Sequence, residues 1–230
     1  MASNDFTGFP AETFAFLSDL AAHNQKAWFD AHRAEYQAHV VDPAMAFIVA
    51  MGGPLAAIDA RYQAVPRLNG SFRRINRDVR FSRDKTPYSP RIHLVFWTGE
   101  HPNRSPAIHL VLHPDGFGFG AGAWAWPPDT LAAFRDRLDA PAALADLRAA
   151  IASAETTGAT LTAPSLKRVP KGRDAGHPAA DLLKHKGLIV RTADRLPLPG
   201  TVNTPGFVDH CAGLCAALHP VNLWLIDKLN

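Results

Sequence analysis

Apolar positions over roughly the first sixty residues recur at helical spacing. Phe14, Leu17 and Leu20 with Ala21 form one stripe, and Pro10 suits the first position of the helix that carries it. A second helix is predicted from about Gln25 to Val40, with Trp28, Phe29, His32, Tyr36 and His39 in register and Lys26, Asp30, Arg33 and Glu35 on other faces. Asp42 and Pro43 read as an N-cap and first-turn pair opening a third, apolar helix, which Gly52-Gly53 is expected to break. Residues of about 10–60 therefore form a helical layer.

The period then changes to two. From Phe72 to Phe81, Ile75, Arg77, Val79 and Phe81 alternate with Arg74, Asn76, Asp78 and Arg80, which predicts a strand. Ser82 to Pro90, holding Pro87 and Pro90, is a turn or loop. "RIHLVFW" and "AIHLVLH" each carry an apolar face (Ile92, Leu94, Phe96; Ile108, Leu110, Leu112) opposite a face bearing His93 or His109 and His113. "GFGFGAGAW" follows a Pro114-Asp115-Gly116 turn as a further strand. Hairpin spacing this tight predicts an antiparallel meander over about 72–126. Gly118, Gly120 and Gly122 strip one side of that strand, as close approach of a helix or of a flat ligand requires. They do not open onto a helix, so they are no nucleotide-binding fingerprint.

Beyond Trp126 the pattern is helical again: an Ala-rich pair over about 129–154, then segments near 178–186, 205–218 and 221–229. Thr156 to His177 is a long connection of the kind that is functional or disordered. The predicted fold is α+β, an antiparallel sheet of about four or more strands packed against N-terminal and C-terminal helices. It forms a single domain over 1–230 whose helical C-terminal part covers about 129–230.

Composition supports a globular chain able to bury a core: 230 residues, 47% apolar and 20% charged. The start, Met-Ala-Ser-Asn-Asp, has no basic region followed by an apolar run, so a cytoplasmic protein without a leader is expected. The uncharged stretch from Pro43 to Ile58 is too short to cross a bilayer, so no membrane partner is expected. Cys211 and Cys215, one helical turn apart, exclude a disulfide framework and read as core residues. A zinc site there would need two more ligands, with His210 and His219 the nearest in sequence.

Charge sharpens this picture. Net charge is only +3, yet Arg73 to Arg91 carries a local +5 and Leu166 to Lys186 a local +4, leaving about −6 for the rest. If the two segments meet, they make one cationic site. Asp78 and Asp84, set among Arg77, Arg80, Arg83 and Lys85, stay ionised and make poor general acids; they serve to aim the cations. In this reading Arg77, Arg80 and Lys85 bind ligand oxygens, Ser82 and Tyr88 add neutral hydrogen bonds, and Lys167, Arg168 and Lys171 close from the second segment. Lys26, Trp28 and Arg33 orient or wall the site, Trp28 with Arg33 by stacking. The competing reading makes the block a fold staple, with Arg77 and Arg80 tied to Asp30 and Glu35 and Asp84 capping the turn before Pro87.

Three of these stretches, "NQKAWFDAHRAEY", "RDVRFSRDKTPY" and "LKRVPKGRDAGHPAADLLKHK", resemble the signature blocks of a bacterial and fungal family of conserved hypothetical proteins, the domain of unknown function DUF 2461. Gln25 stands where that family usually has a second Asn. The resemblance implies one full-length, cytoplasmic, soluble domain distinguished by its charged blocks, and it implies no activity.

The function classes left open are three. A binder of, or enzyme on, a phosphorylated or carboxylated metabolite would use the cationic pocket, with His93, His109 or His113 as proton carrier. A nucleic-acid binder would spread the cations beside accessible Trp28, Trp97, Trp124 and Trp126. A scaffold or partner-binding domain would show an apolar patch. A metal-dependent nuclease is disfavoured, because Asp78 and Asp84 lie in positive surroundings and no ligand spacing occurs elsewhere; no cofactor and no metal are expected. Neither Ser82 nor either cysteine has the sequence setting of a nucleophile.

Overall fold

The structure, a computed structural model, describes residues 6–193 and 195–229. Helices α1 (Ala11–Ala22), α2 (Lys26–Ala31), α3 (Arg33–Tyr36) and α4 (Asp42–Ile58) lead to strand β1 (Tyr62–Gln63). Strands β2 (Ile92–Thr98), β3 (Ala107–His113) and β4 (Gly116–Ala123) precede α5 (Pro128–Arg137) and α6 (Pro141–Glu155). Then come β5 (Ala159–Leu161), a 3-10 turn (Leu182–Lys184), β6 (Leu188–Thr192) and α7 (Phe207–Leu229). The fold is α+β: a six-stranded antiparallel sheet, in the order β1-β2-β3-β4-β6-β5, packed against N-terminal and C-terminal helices.

By its internal packing the chain divides into two compact units, where the sequence reads as one domain. The first comprises Met1–Phe96, His109–Gly118 and Asp194–Gly213; the second comprises Trp97–Ile108, Phe119–Ala193 and Leu214–Asn230. The division therefore does not follow the helix, sheet, helix order of the sequence.

The first unit is organised by aromatic rings from distant segments. Phe6 and Phe9 meet Phe47 of α4 at 5.1 and 5.6 Å, and Phe207 of α7 lies 5.9, 5.3 and 5.8 Å from Phe9, Phe47 and Phe117. Gly8 holds the N-terminal segment in place: at φ +117° a Cβ there would fall 2.1 Å from the Asn203 carbonyl carbon, and the neighbouring Phe9 N–H donates to Val202 O at 2.9 Å. Trp224 of α7 anchors the second unit, its indole N–H donating to Ala143 O of α6 at 2.9 Å while its ring meets Phe134 at 5.8 Å.

Several elements differ from the periodicity. The second helix breaks at His32 (φ −107°, ψ 19°) into α2 and α3, and a π-helical turn, Gln37–Val41, then runs into α4. Asp42 is accordingly helical and caps nothing. Gly52-Gly53 and Pro54 all lie inside α4, because Val40, Ala44, Phe47, Ile48, Met51 and Leu55 form a fully buried stripe whose burial outweighs poor local propensity. Arg33–Ile58 is thereby 26 helical residues long and apolar enough to cross a membrane by length and composition. The buried stripe covers only part of it: 28% of its most apolar 18-residue window is buried.

Phe72–Phe81 is not a strand. Isolated bridges, Phe72 with Leu94 and Asn76 with Tyr88, hold it as an irregular antiparallel finger with the 86–89 arm. Pro87 and Pro90 lack the N–H groups that a longer ladder would need. The segments at 205–218 and 221–229 are one helix running through Pro220, and the stretch near 178–186 holds only the 3-10 turn. β5 emerges within the long connection, and β6 follows the basic block. Glycines 120 and 122 give close approach to β6: added Cβ atoms would lie 2.6 Å from Val190 O and 1.9 Å from Leu188 O.

Candidate functional site

The central finger is fixed to the N-terminal helices by one amide. Asn24, between α1 and α2, donates its side-chain N–H to Tyr88 O at 2.9 Å and accepts Tyr88 N–H at 3.0 Å, copying a β-bridge with a side chain. Phe29 covers the buried Tyr88 ring at 4.5 Å. Within the finger, Arg77 N–H donates to Pro87 O at 2.8 Å, and its guanidinium donates to Asp84 at 2.6 Å, to Thr86 O at 3.0 Å and to the Thr86 hydroxyl. Asp84 also accepts the Thr86 N–H and hydroxyl at 2.9 and 2.8 Å. Those two bonds, then Arg77, push its carboxyl down to about 2. The cap before Pro87 is therefore as the staple reading has it.

The rest of that reading is corrected. Arg80 pairs with Asp78 at 2.7 Å, and Asp30 is taken by Lys26 and by Arg33 at 2.6 Å within its own helical stretch, so the ion pairs of Arg77 and Arg80 close inside the finger rather than on Asp30 or Glu35. Lys85 is turned back onto Val79 O at 2.9 Å. The proposed stacking wall is likewise different. Trp28 is stacked against His32 at 4.1 Å and His23 at 5.7 Å, while Arg33 lies over Phe29 at 5.4 Å. Trp97 is buried and Trp126 meets Phe134 at 4.6 Å; Trp124 is exposed.

At the base of the finger lies a pocket of about 310 Å³, lined by Arg74, Ile75, Asn76, Arg77, Asp78, Ser89, Arg91 and His93. All eight belong to the first unit. Of the residues singled out in the sequence, Arg77, Asp78 and His93 line it; Arg80, Ser82, Lys85 and Tyr88 do not. Lys167, Arg168 and Lys171 are exposed residues of the second unit and do not line it either. In their block, Arg173 is held by Asp136 and, at 2.8 Å, by Asp139, and Arg148 grips Asp181 at 2.6 and 2.7 Å.

Sequence reasoning passed over Arg74, Asn76, Ser89 and Arg91. Arg91 and His93 share a strand face by their spacing of two, which was the available signal. Arg74 and Arg91 form no ion pair with any described residue, whereas Arg77 is spent on Asp84 and Asp78 on Arg80. The pocket wall thus keeps an excess of positive charge.

Behind Arg91, His93 of β2 and His109 of β3 face each other with Nε2 and Nδ1 2.9 Å apart, one imidazole N–H donating to the other ring's nitrogen. Burial, reinforced by His109, Arg91, Arg73 and His113, pushes His93 down to about 3; burial and Arg73 push His109 down to about 4. An unfolded chain protonates these rings near 6.5, so the folded state refuses protons that the unfolded state binds. Stability therefore falls as pH drops from about 6.5 towards 4. We expect melting curves to show this decline and a His93→Asn/His109→Asn double variant to flatten it between pH 6.5 and 4.5; an unchanged slope would mean that the pair does not carry it.

Among the described residues no group of three or more His, Cys, Asp or Glu side chains is placed to hold a metal ion. Cys211 and Cys215 are buried, and burial raises the Cys215 thiol to about 12. Comparison with known families places this geometry. The profile of the conserved hypothetical proteins called DUF2461 matches residues 12–224, nearly the whole chain. The chain belongs to the DUF2461 family. No curated protein and no solved structure matches it. The finger, the Asn24 clamp and the pocket of this DUF2461 protein all fall within the matched span.

Proposed function

We propose that this DUF2461 protein recognises a small oxyanion in the pocket at the base of the central finger. The observation that carries the reading is the pair of guanidiniums, Arg74 and Arg91, which line the pocket without an ion pair to any described residue, beside an Asp78 already engaged by Arg80. Planar guanidinium forks match oxyanions by two parallel N–H donors. Ser89 and Asn76 add neutral hydrogen-bonding groups, and Arg77 shapes the wall while its charge is spent on Asp84.

Thermal-shift and calorimetric screening with sulfate, nitrate, carboxylates, nucleotides and short single-stranded oligonucleotides, at low and high salt, tests this. Sulfate should raise the melting temperature and survive moderate salt. Arg91→Ala should weaken sulfate at least tenfold while leaving the unliganded melting temperature unchanged. Stabilisation by oligonucleotides alone, collapsing steeply with salt, would move the function to nucleic acid, read from Lys167, Arg168 and Lys171 with the exposed Trp124. Stabilisation by neither would remove the anion reading.

A further inference from the structure

The strongest charges acting on the His93–His109 pair are all positive or cationic when protonated. The charged or titratable groups acting on His93 are His109, Arg91, Arg73 and His113, and the one acting on His109 is Arg73; every one of them opposes protonation. Asp115 acts on His113 and is held by Arg195 at 2.7 Å. Across the pocket, Asp78 is held by Arg80 at 2.7 Å. An anion arriving beside Arg91 would oppose that repulsion, and His93 itself lines the pocket.

Resting on the anion-site reading above, we propose that the ligand is a doubly charged tetrahedral oxyanion and that the His93–His109 pair takes up one solvent proton as it binds, making these two histidines specificity-determining residues. The unliganded pair shares one N–H between two neutral rings. One added proton leaves that hydrogen bond in place; with His93 Nε2–H as its donor, it turns His93 Nδ1 from acceptor into donor, and no bond of the anion is made or broken. A dianion beside Arg91 carries charge equal to the two arginines that oppose protonation of the pair, Arg91 and Arg73. A monoanion leaves an imidazolium facing net positive charge, so it binds without the proton.

Calorimetric titration of the full chain with sodium sulfate and with sodium nitrate, from pH 7.5 to 5 in buffers of different ionisation enthalpy, tests this, because sulfate stays doubly charged throughout. Sulfate should take up close to one proton and tighten by up to about tenfold per pH unit towards the acid end. Nitrate should show neither effect. His93→Asn and His109→Asn should still bind sulfate, with no proton uptake and a flat pH dependence. Sulfate binding without proton uptake at any pH, or a pH slope that persists in both histidine variants, overturns this inference and leaves the anion pocket standing. Failure of sulfate to bind the wild-type chain at all overturns both.

Discussion

Phe207→Ala should lower the stability of the folded chain by about 3–5 kcal/mol, the cost of removing a large buried ring and leaving a cavity that its surroundings fill only in part. Phe207 is 1% exposed, and its ring lies within 6.1 Å of the centroids of Phe9, Phe47, Phe117 and His210. These come from the N-terminal segment, α4, β4 and α7 itself, so one side chain closes contacts among stretches far apart in sequence. Losing it also loosens the Phe9 segment, which keeps the Phe47 contacts and the Phe9–Val202 hydrogen bond. Urea denaturation followed by fluorescence and circular dichroism measures the loss, and Phe207→Leu should recover more than half of it by refilling the volume. A loss below about 1 kcal/mol would mean that the cluster repacks around the gap and that Phe207 is not its keystone.

Part of the fold was legible from spacing, though not this cluster. The helical stripe after Pro10 carries the right period, and β2, β3 and β4 alternate cleanly enough to give a meander. What escaped depends on partners that spacing does not record. α4 runs through Gly52, Gly53 and Pro54 because its other face is buried, and propensity contains nothing about burial. β6 pairs with β4 through the backbone room left by Gly120 and Gly122; the glycine strip was visible, but the strand that needs it lies some seventy residues on. Phe81 marks the limit of the alternation argument most plainly: assigned to a face with Ile75, it ends 96% exposed while Ile75 is buried, because the finger turns before the period can be sustained.

The candidate site divides in the same way. Charge density pointed to Arg73–Arg91 and found Arg77 and Asp78, and strand alternation found His93. Which cations remain available could not be read, since Asp78 is taken by a neighbour two residues on and Asp84 by one seven residues back. Those pairings exist only once the finger has folded, and they leave Arg74 and Arg91, rather than Arg77 and Arg80, with unpaired charge at the pocket.

Arg77 and Arg80 should for that reason behave as opposites. Arg80→Ala removes an exposed ion pair between residues two apart, and its side chain is 76% exposed; no measurable change in stability is expected. Arg77 is 28% exposed and donates at once to Asp84, to Thr86 O and to the Thr86 hydroxyl, the last two in a part-buried setting. Arg77→Ala should cost about 2–3 kcal/mol, because a buried-side carbonyl and a hydroxyl lose a charged donor together. Hydrogen exchange will locate the damage. The amides of Arg77 and Ser89, which bond Pro87 O and Ile75 O across the finger, should lose protection first, ahead of α4. Asp84 supplies an independent check with a defined sign: its folded carboxyl is depressed to about 2 from an ordinary 3.8. Its contribution is present above about pH 4 and is lost as pH falls towards 2. Acid opening of the finger over that window, abolished in Asp84→Asn, would show that the ring of Arg77, Asp84 and Thr86 holds the pocket wall in place. Equal effects of Arg77→Ala and Arg80→Ala would instead show that charge alone, and not this ring of hydrogen bonds, keeps the finger closed.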